Sequence, residues 1–449
     1  MLTLPHTQSR PGKSAAFCDG VPRRGFLCAG TLTYGGLTLA SILRLRSAAL
    51  ASQTTLPTRK DTSVIFIELA GGPTQFETYD PKPKAPREYR GDFGITHTNV
   101  AGTHFCELMP KQSRMLDKLA IVRSIQHGHN SHDPSSHLSQ TGYYKSGPKG
   151  GPNQLPCFGS IVAKLRGPNH AALPAYVAIP RIMRNGQSAF LGQAYNPFET
   201  ISDPNDPKFH VRNLTLAHEL NIRRLENRRS LLSALDARQQ LQDLQESASA
   251  VDDFSRQAFD LVHGSRAKKA FDLSQESNAL RDRYGRNTVG QSMLLARRLV
   301  ESGVTCVTVR CTGWDDHNNI APNLRKRAPV YDQAIATLIE ELFDRGLEEK
   351  VLVIAMGEFG RTPRINKNAG RDHWGALMSV LLAGGRLKTG IVGASNSKGE
   401  VPVECQYRPE NVLAMMYRHL GINPETTFDD LSGRPRHVLE QRELIEELL

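Results

Sequence analysis

Residues 330–356 read VYDQAIATLIEELFDRGLEEKVLVIAM, and the change of pattern halfway along decides the fold. Ile335, Leu338, Ile339 and Leu342 recur at helical spacing, so one apolar stripe runs along a helix predicted over Val330 to Arg345. Gly346 stands where a left-handed C-cap would end that helix. Val351 to Met356 follows as an unbroken apolar run of strand length, without the alternation of a strand wet on one face. The stretch upstream repeats the device. Val289, Ser292, Leu295, Ala296, Leu299 and Val300 share a helical face, Gly303 closes it, and Val304 to Val309 is again short and apolar. Helix, strand, helix, strand in this rhythm predicts an α/β fold whose mainly parallel central sheet is covered by helices on both faces. Further strands are predicted at Val64 to Leu69, Leu119 to Val122, Tyr176 to Ile179 and Ser379 to Ala383.

The chain has 449 residues, enough to bury a large core, and a mean hydropathy of -0.40, which excludes a polytopic membrane protein. The N-terminus reads as an address. Arg23 and Arg24 precede Gly25, Phe26 and Leu27, an apolar stretch runs to Leu43, and Ala49, Leu50 and Ala51 offer a small-residue cleavage site. A twin-arginine signal peptide is expected over residues 1–51, leaving residues 52–449 as a periplasmic or extracellular domain with no stable membrane span. Residues 1–51 hold six of the 56 Lys and Arg against one acidic residue, so much of the formal charge of +11 leaves with them. The remaining surplus suits an anionic small molecule or polysaccharide but forms no basic stripe, and no nucleic-acid partner is expected. Five cysteines lie beyond residue 51, with no CxxC spacing, so neither a disulfide framework nor a thiolate zinc site is indicated. Residues 211–283, rich in Arg, Gln, Glu and Leu, are expected to form a helical insertion.

Ligands of α/β sheets sit beyond the carboxyl ends of strands, which singles out four polar stretches. CTGWDDHNN follows the strand ending near Val309 and brings Asp315 and His317 within three residues, a spacing that turns both toward one ion. MGEFGRTP follows Val351 to Met356 and carries Glu358 and Arg361. GRDHW brings Asp372 beside His373. HGHNSHDPSSH concentrates His127, His129, His132 and His137 around Asp133, and for His127 and His129 an incidental surface loop is the simpler reading. The segment GGPTQFETYDPKPKAP, from Gly71, leaves the first strand through two glycines into a proline-laden loop. Such a loop either lines a site or packs as a rigid cover over the sheet.

VYDQAIATLIEELFDRGLEEKVLVIAMGEFG resembles the helix, strand and loop unit of sulfatases and other alkaline-phosphatase superfamily enzymes, and SHDPSSHLSQTGYY resembles their nucleophile segment, with His132 at the nucleophile position. GGPTQFETYDPKPKAP, GWDDH, GEFGRTP and GRDHW together resemble the exported bacterial proteins of the domain-of-unknown-function 1501 family. The resemblance implies an alkaline-phosphatase-like three-layer sandwich and metal-dependent hydrolysis of phosphate or sulfate esters. Departures from the superfamily are plain: the position near Ala70 offers no ligand, Glu358 and Phe359 replace an aspartate and a histidine, and Ser136 replaces an arginine. What survives is Asp315, His317, Glu358, Asp372 and His373, enough for one divalent ion, whether zinc, manganese or calcium. In this scheme Arg361 neutralises a non-bridging oxygen and His132 is a base or transient covalent acceptor. Gly71 and Gly72 let the backbone approach the anion, while Thr74, Asp80 and Lys82 supply polar contacts. The lost ligands leave open an alternative: a non-catalytic exported binding protein for anionic polysaccharide or a protein partner.

Overall fold

The computed structural model describes residues 61–146, 150–211 and 265–449. The expected signal peptide and most of the expected helical insertion lie outside the described residues. Among the described residues no helix is long and apolar enough to cross a membrane.

The strands of the central sheet are β1 (Ser63–Leu69), β2 (Leu119–Ile125), β3 (Tyr176–Ile179), β4 (Phe198–Glu199), β5 (Cys306–Cys311), β6 (Val351–Met356), β7 (Met378–Gly384) and β8 (Gly390–Val392). They lie side by side in the order β8, β2, β7, β6, β1, β5, β3, β4. Only β7 runs antiparallel to its neighbours β2 and β6; every other pairing is parallel. Every residue of β1 and of β6 is buried, as the unbroken apolar runs require of strands covered on both faces.

Alternate side chains feed two cores. Ile65, Ile67, Val307, Val309, Val353 and Ala355 point to one, which is completed by α5 (Thr288–Ser302) and α6 (Ile320–Asp344) and bordered by α3 (Ser265–Phe271) and α4 (Asn278–Tyr284). Val64, Phe66, Cys306, Leu352 and Ile354 point to the other, completed by α2 (Phe158–Leu165) and α7 (Pro409–Leu420). The fold is thus the predicted three-layer α/β sandwich with a mainly parallel sheet. Several boundaries differ from the sequence reading: β5 lies two residues later than expected and β2 runs three residues further. Helix α6 begins ten residues before Val330, with Pro329 inside it, and α1 (His132–Thr141) is a helix within the histidine-rich stretch, for which the sequence reading named no element.

Candidate metal centre

Topology collects the polar stretches at one edge. The parallel strands β1, β2, β5 and β6 end there, and β7, being antiparallel, begins there. The segment after β1 delivers Gly71 and Gly72, that after β2 delivers Asn130 and His132, that after β5 delivers Asp315 and His317, and that after β6 delivers Glu358 and Arg361. His373 arrives just ahead of β7, on a two-residue ladder that pairs His373 with Arg361 and Trp374 with Gly360. These five strands are consecutive in the sheet, so segments far apart in sequence meet over its middle.

Asp315 is the hub. Its Oδ1 lies 3.0 Å from His373 Nε2 and 3.1 Å from His317 Nε2, and its Oδ2 lies 3.2 Å from His132 Nε2. The two Nε2 atoms of His317 and His373 are 2.9 Å apart. Each imidazole is also held from behind: His317 Nδ1 is 2.7 Å from Asp372 Oδ1, His373 Nδ1 is 3.0 Å from the Asn130 carbonyl, and His132 Nδ1 is 2.7 Å from Glu358 Oε1. The donor atoms of His132, Asp315 and His373 all fall within 4.8 Å of one another. The Phe359 ring stacks on His373 with centroids 4.3 Å apart and lies 5.1 Å from the His132 ring. Phe359 is thus an apolar platform for two imidazoles.

Charge in the cluster is set by these contacts. Burial alone would raise the Asp315 carboxyl, but the Arg361 hydrogen bond and charge, with the close contact to His373, outweigh it and hold the group well below the usual carboxylate range. The His317 hydrogen bond lowers Asp372. Glu358, by its hydrogen bond and its charge, raises His132 against the pull of burial. Desolvation lowers His373, which favours its neutral ring.

Not every predicted site residue joins the cluster. Arg361 reaches Asp315 Oδ1 at 2.6 Å, but its side chain is 0% exposed. Its remaining donors serve the carbonyls of Gly72 at 2.9 Å, Arg371 and Trp314 at 3.0 Å, and Gly71. Enclosed in this way, the guanidinium does not face a substrate oxygen, contrary to the sequence expectation. Gly71 does approach the site: its N–H donates to both Glu358 carboxylate oxygens at 3.1 Å. Thr74, Asp80 and Lys82 are not brought to the cluster. Thr74 is buried and donates to Glu77 at 2.5 Å, while Asp80 is buried against Lys82 and accepts from Ser395, both at the packed underside of the loop. The loop is therefore mainly a cover: Gly71 reaches Glu358, while Gly72 and Gln75 brace Arg361.

Sequence reading also missed residues. His127 is buried rather than on a surface loop; its Nε2 lies 2.7 Å from the Glu358 carbonyl, and burial pushes its pKa down to about 4. Asn130, which fixes His373 through its carbonyl and accepts from the Gly375 N–H at 2.6 Å, carries no signal beyond its place in a histidine-rich run.

A mainly parallel α/β sheet with an imidazole and carboxylate cluster at the carboxyl ends of its central strands defines the class. The family described as Protein of unknown function (DUF1501) matches residues 61–449, and the chain belongs to it. A search of the curated proteins finds no match. Similar solved structures include the PsFucS1 sulfatase from Pseudoalteromonas sp., at 9% identity over 82% of this chain and 69% of that one, with a TM-score of 0.35. The lipoteichoic acid synthase LtaP from Listeria monocytogenes is similar at 8% identity over 81% of this chain and 72% of that one, with a TM-score of 0.30. A Bacteroides thetaiotaomicron protein of glycosaminoglycan metabolism matches at 11% identity over 80% and 73%, with a TM-score of 0.32.

Proposed function

We propose that this chain is an exported, metal-dependent hydrolase of phosphate or sulfate esters that works with one divalent ion held at Asp315. The observation that carries this reading is the 2.9 Å approach of His317 Nε2 to His373 Nε2 beside Asp315 Oδ1. Carbonyl and carboxylate oxygens only accept, so His373 Nδ1 facing Asn130 and His317 Nδ1 facing Asp372 each carry the ring hydrogen. With the hydrogen on Nδ1, a neutral ring at either position would turn its Nε2 lone pair toward Asp315. Two such lone pairs and a carboxylate oxygen make a donor set that suits a divalent cation.

A divalent ion bound there would polarise an ester oxygen and make water nucleophilic near neutral pH. The chain's own residues prepare the rest. Glu358 holds His132 by Nδ1, so its Nε2 is aimed into the cluster, where it can take a proton from an attacking water. Arg361 keeps Asp315 ionised and fixed. The open side is formed by Asp315, 42% exposed, together with His317 and Asp372, and it lies at the sheet edge where α/β folds bind substrates. Among the described residues no serine, threonine or cysteine side chain hydrogen-bonds to the side chains of Asp315, His132, His317 or His373, which favours direct attack by water over a covalent intermediate. The sulfatase-like order of the motifs supports the ester class and an anionic small-molecule or polysaccharide substrate, and the twin-arginine pattern at Arg23 and Arg24 supports export to the periplasm or beyond.

One observation favours a second reading, non-catalytic binding of an anionic polysaccharide or a protein partner: enclosed Arg361 cannot neutralise a non-bridging oxygen. The test is a screen of phosphate and sulfate esters with chelator-free protein of measured metal content, beside the double variant Asp315→Ala, His317→Ala. Turnover that disappears in the folded variant supports hydrolysis. Loaded protein inert on both ester classes supports binding alone.

A further inference from the structure

We infer that the ligand set is the triangle of His317 Nε2, His373 Nε2 and Asp315 Oδ1, that Glu358 and Asp372 are orienting carboxylates outside it, and that the site takes a first-row transition ion rather than calcium. This rests on the single-ion reading above and deepens it. The sides of the triangle measure 2.9, 3.0 and 3.1 Å. Donors at right angles around an ion with bonds of about 2.1 Å are separated by about 3.0 Å, so the three atoms match one face of an octahedron. Calcium takes oxygen donors at longer range, about 2.3–2.6 Å, and six to eight of them. Two imidazoles and one carboxylate instead suit ions that accept nitrogen, and a triad of this composition leaves the opposite positions open.

The carboxylates behind the triangle have other partners. Asp372 Oδ1 meets His317 Nδ1 at 2.7 Å and accepts from Asn366 Nδ2 at 3.3 Å, which fixes the ring from its far side. Both Glu358 oxygens accept from the Gly71 N–H, and Oε1 also faces His132 Nδ1. His132 Nε2 meets the other oxygen of Asp315, Oδ2, and so stands beside the triangle rather than in it. Sequence spacing groups all five acidic and histidine residues as ligands; the contacts divide them into three that converge and two that orient.

The test uses the full chain stripped with chelator and titrated with Co2+ or Ca2+ alone, followed by calorimetry and the visible absorption of bound Co2+. One equivalent of Co2+ is expected, with Ca2+ at least about 100-fold weaker. Asp372→Asn should weaken Co2+ about 10–100-fold, as loss of an orienting partner does. Glu358→Gln should leave the affinity within about threefold, because the ring it orients, His132, lies outside the triangle. Equal or tighter Ca2+ binding, or loss of Co2+ binding in a folded Glu358→Gln protein, overturns the assignment. X-ray absorption of the Zn2+-loaded wild-type chain needs no substitution: two imidazoles per ion support the triangle, and any other count overturns it. The readout is ion binding, so a protein that binds as described yet cleaves no ester refutes the hydrolase and leaves the ligand set standing. Turnover by a site with different ligands refutes the set alone.

Discussion

Arg361 and Glu68 are the two charged side chains whose burial says most about the site. Arg361 donates to four backbone carbonyls and to Asp315, and so ties the segments after β1 and β5 to the one after β6. A lysine cannot reproduce that fork. Arg361→Lys is expected to cost about 2–4 kcal/mol and to weaken ion binding by freeing Asp315, measured by thermal melts and Co2+ titration. Glu68 is buried near the end of β1 with Arg310 at 3.2 Å. Burial, and then the charge of Glu358, push its carboxyl up to about 8 from an ordinary 4.5, against the pull of Arg310. A pKa raised on folding means the native state binds the proton more tightly. The stability it confers is complete below about pH 4.5 and is lost as pH rises toward about 8. The melting temperature should therefore fall across this window, and Glu68→Gln should flatten the fall; an unchanged slope would show that Glu68 ionises freely. At this scale the sequence shows which residues are present and little of what encloses them. GEFGRTP reads equally well as an anion clamp or a buried brace, and only carbonyls contributed from near residues 71 and 314 decide between the two.

Elements were more legible than contacts. The unbroken apolar runs identified β1, β2, β3, β5, β6 and β7 because strands buried on both faces lose their polar alternation. The edge strands β4 and β8 are two and three residues long and leave too short a pattern to read. The direction of β7 carries no local signal at all, yet it brings His373 to the same edge as Asp315. Pro329 concealed the first turns of α6, since a proline normally marks a helix start rather than an interior. The loop after β1 is the element whose geometry is most exposed to test. Gly71 has a φ of +112°, and a Cβ there would lie 2.5 Å from the Asp315 backbone nitrogen and 2.9 Å from its Cβ. Gly71→Ala should push Asp315 out of place. We expect at least a tenfold loss of ion affinity together with a lower melting temperature; a variant that binds Co2+ like the wild type would show that the loop and Asp315 are not packed this tightly.

Across the whole molecule, the site is assembled from strand ends that the sheet brings together, and the two loops that carry Asp315, His317 and His373 are fastened to each other by bonds of their own. The Asn319 N–H donates to Asn368 at 3.0 Å, the Ile320 N–H to Ala369 at 2.9 Å and the Arg371 N–H to Asp316 at 2.9 Å, while Asn366 Nδ2 donates to the His317 carbonyl at 3.0 Å. Beneath them Arg371 is buried with Glu77 at 2.7 Å and fills its other donors with the carbonyls of Tyr89, Thr362 and Pro363. Backbone and side-chain bonds of this kind do not depend on the ion, and two hydrophobic cores hold the sheet independently of it. Ion binding should therefore stabilise a fold that already exists rather than create one. At free ion one hundred times its dissociation constant, linkage adds about 2.7 kcal/mol, a shift of several degrees at most for a domain of this size. Chelation should leave the far-ultraviolet circular dichroism unchanged and lower the melting temperature by that modest amount. Asp372→Asn should melt like the wild type in chelator and gain less when Co2+ or Zn2+ is restored. Collapse of the secondary structure on chelation would mean that the ion holds the loops together, and that the bonds between residues 316–320 and 366–371 are too weak to preform the site.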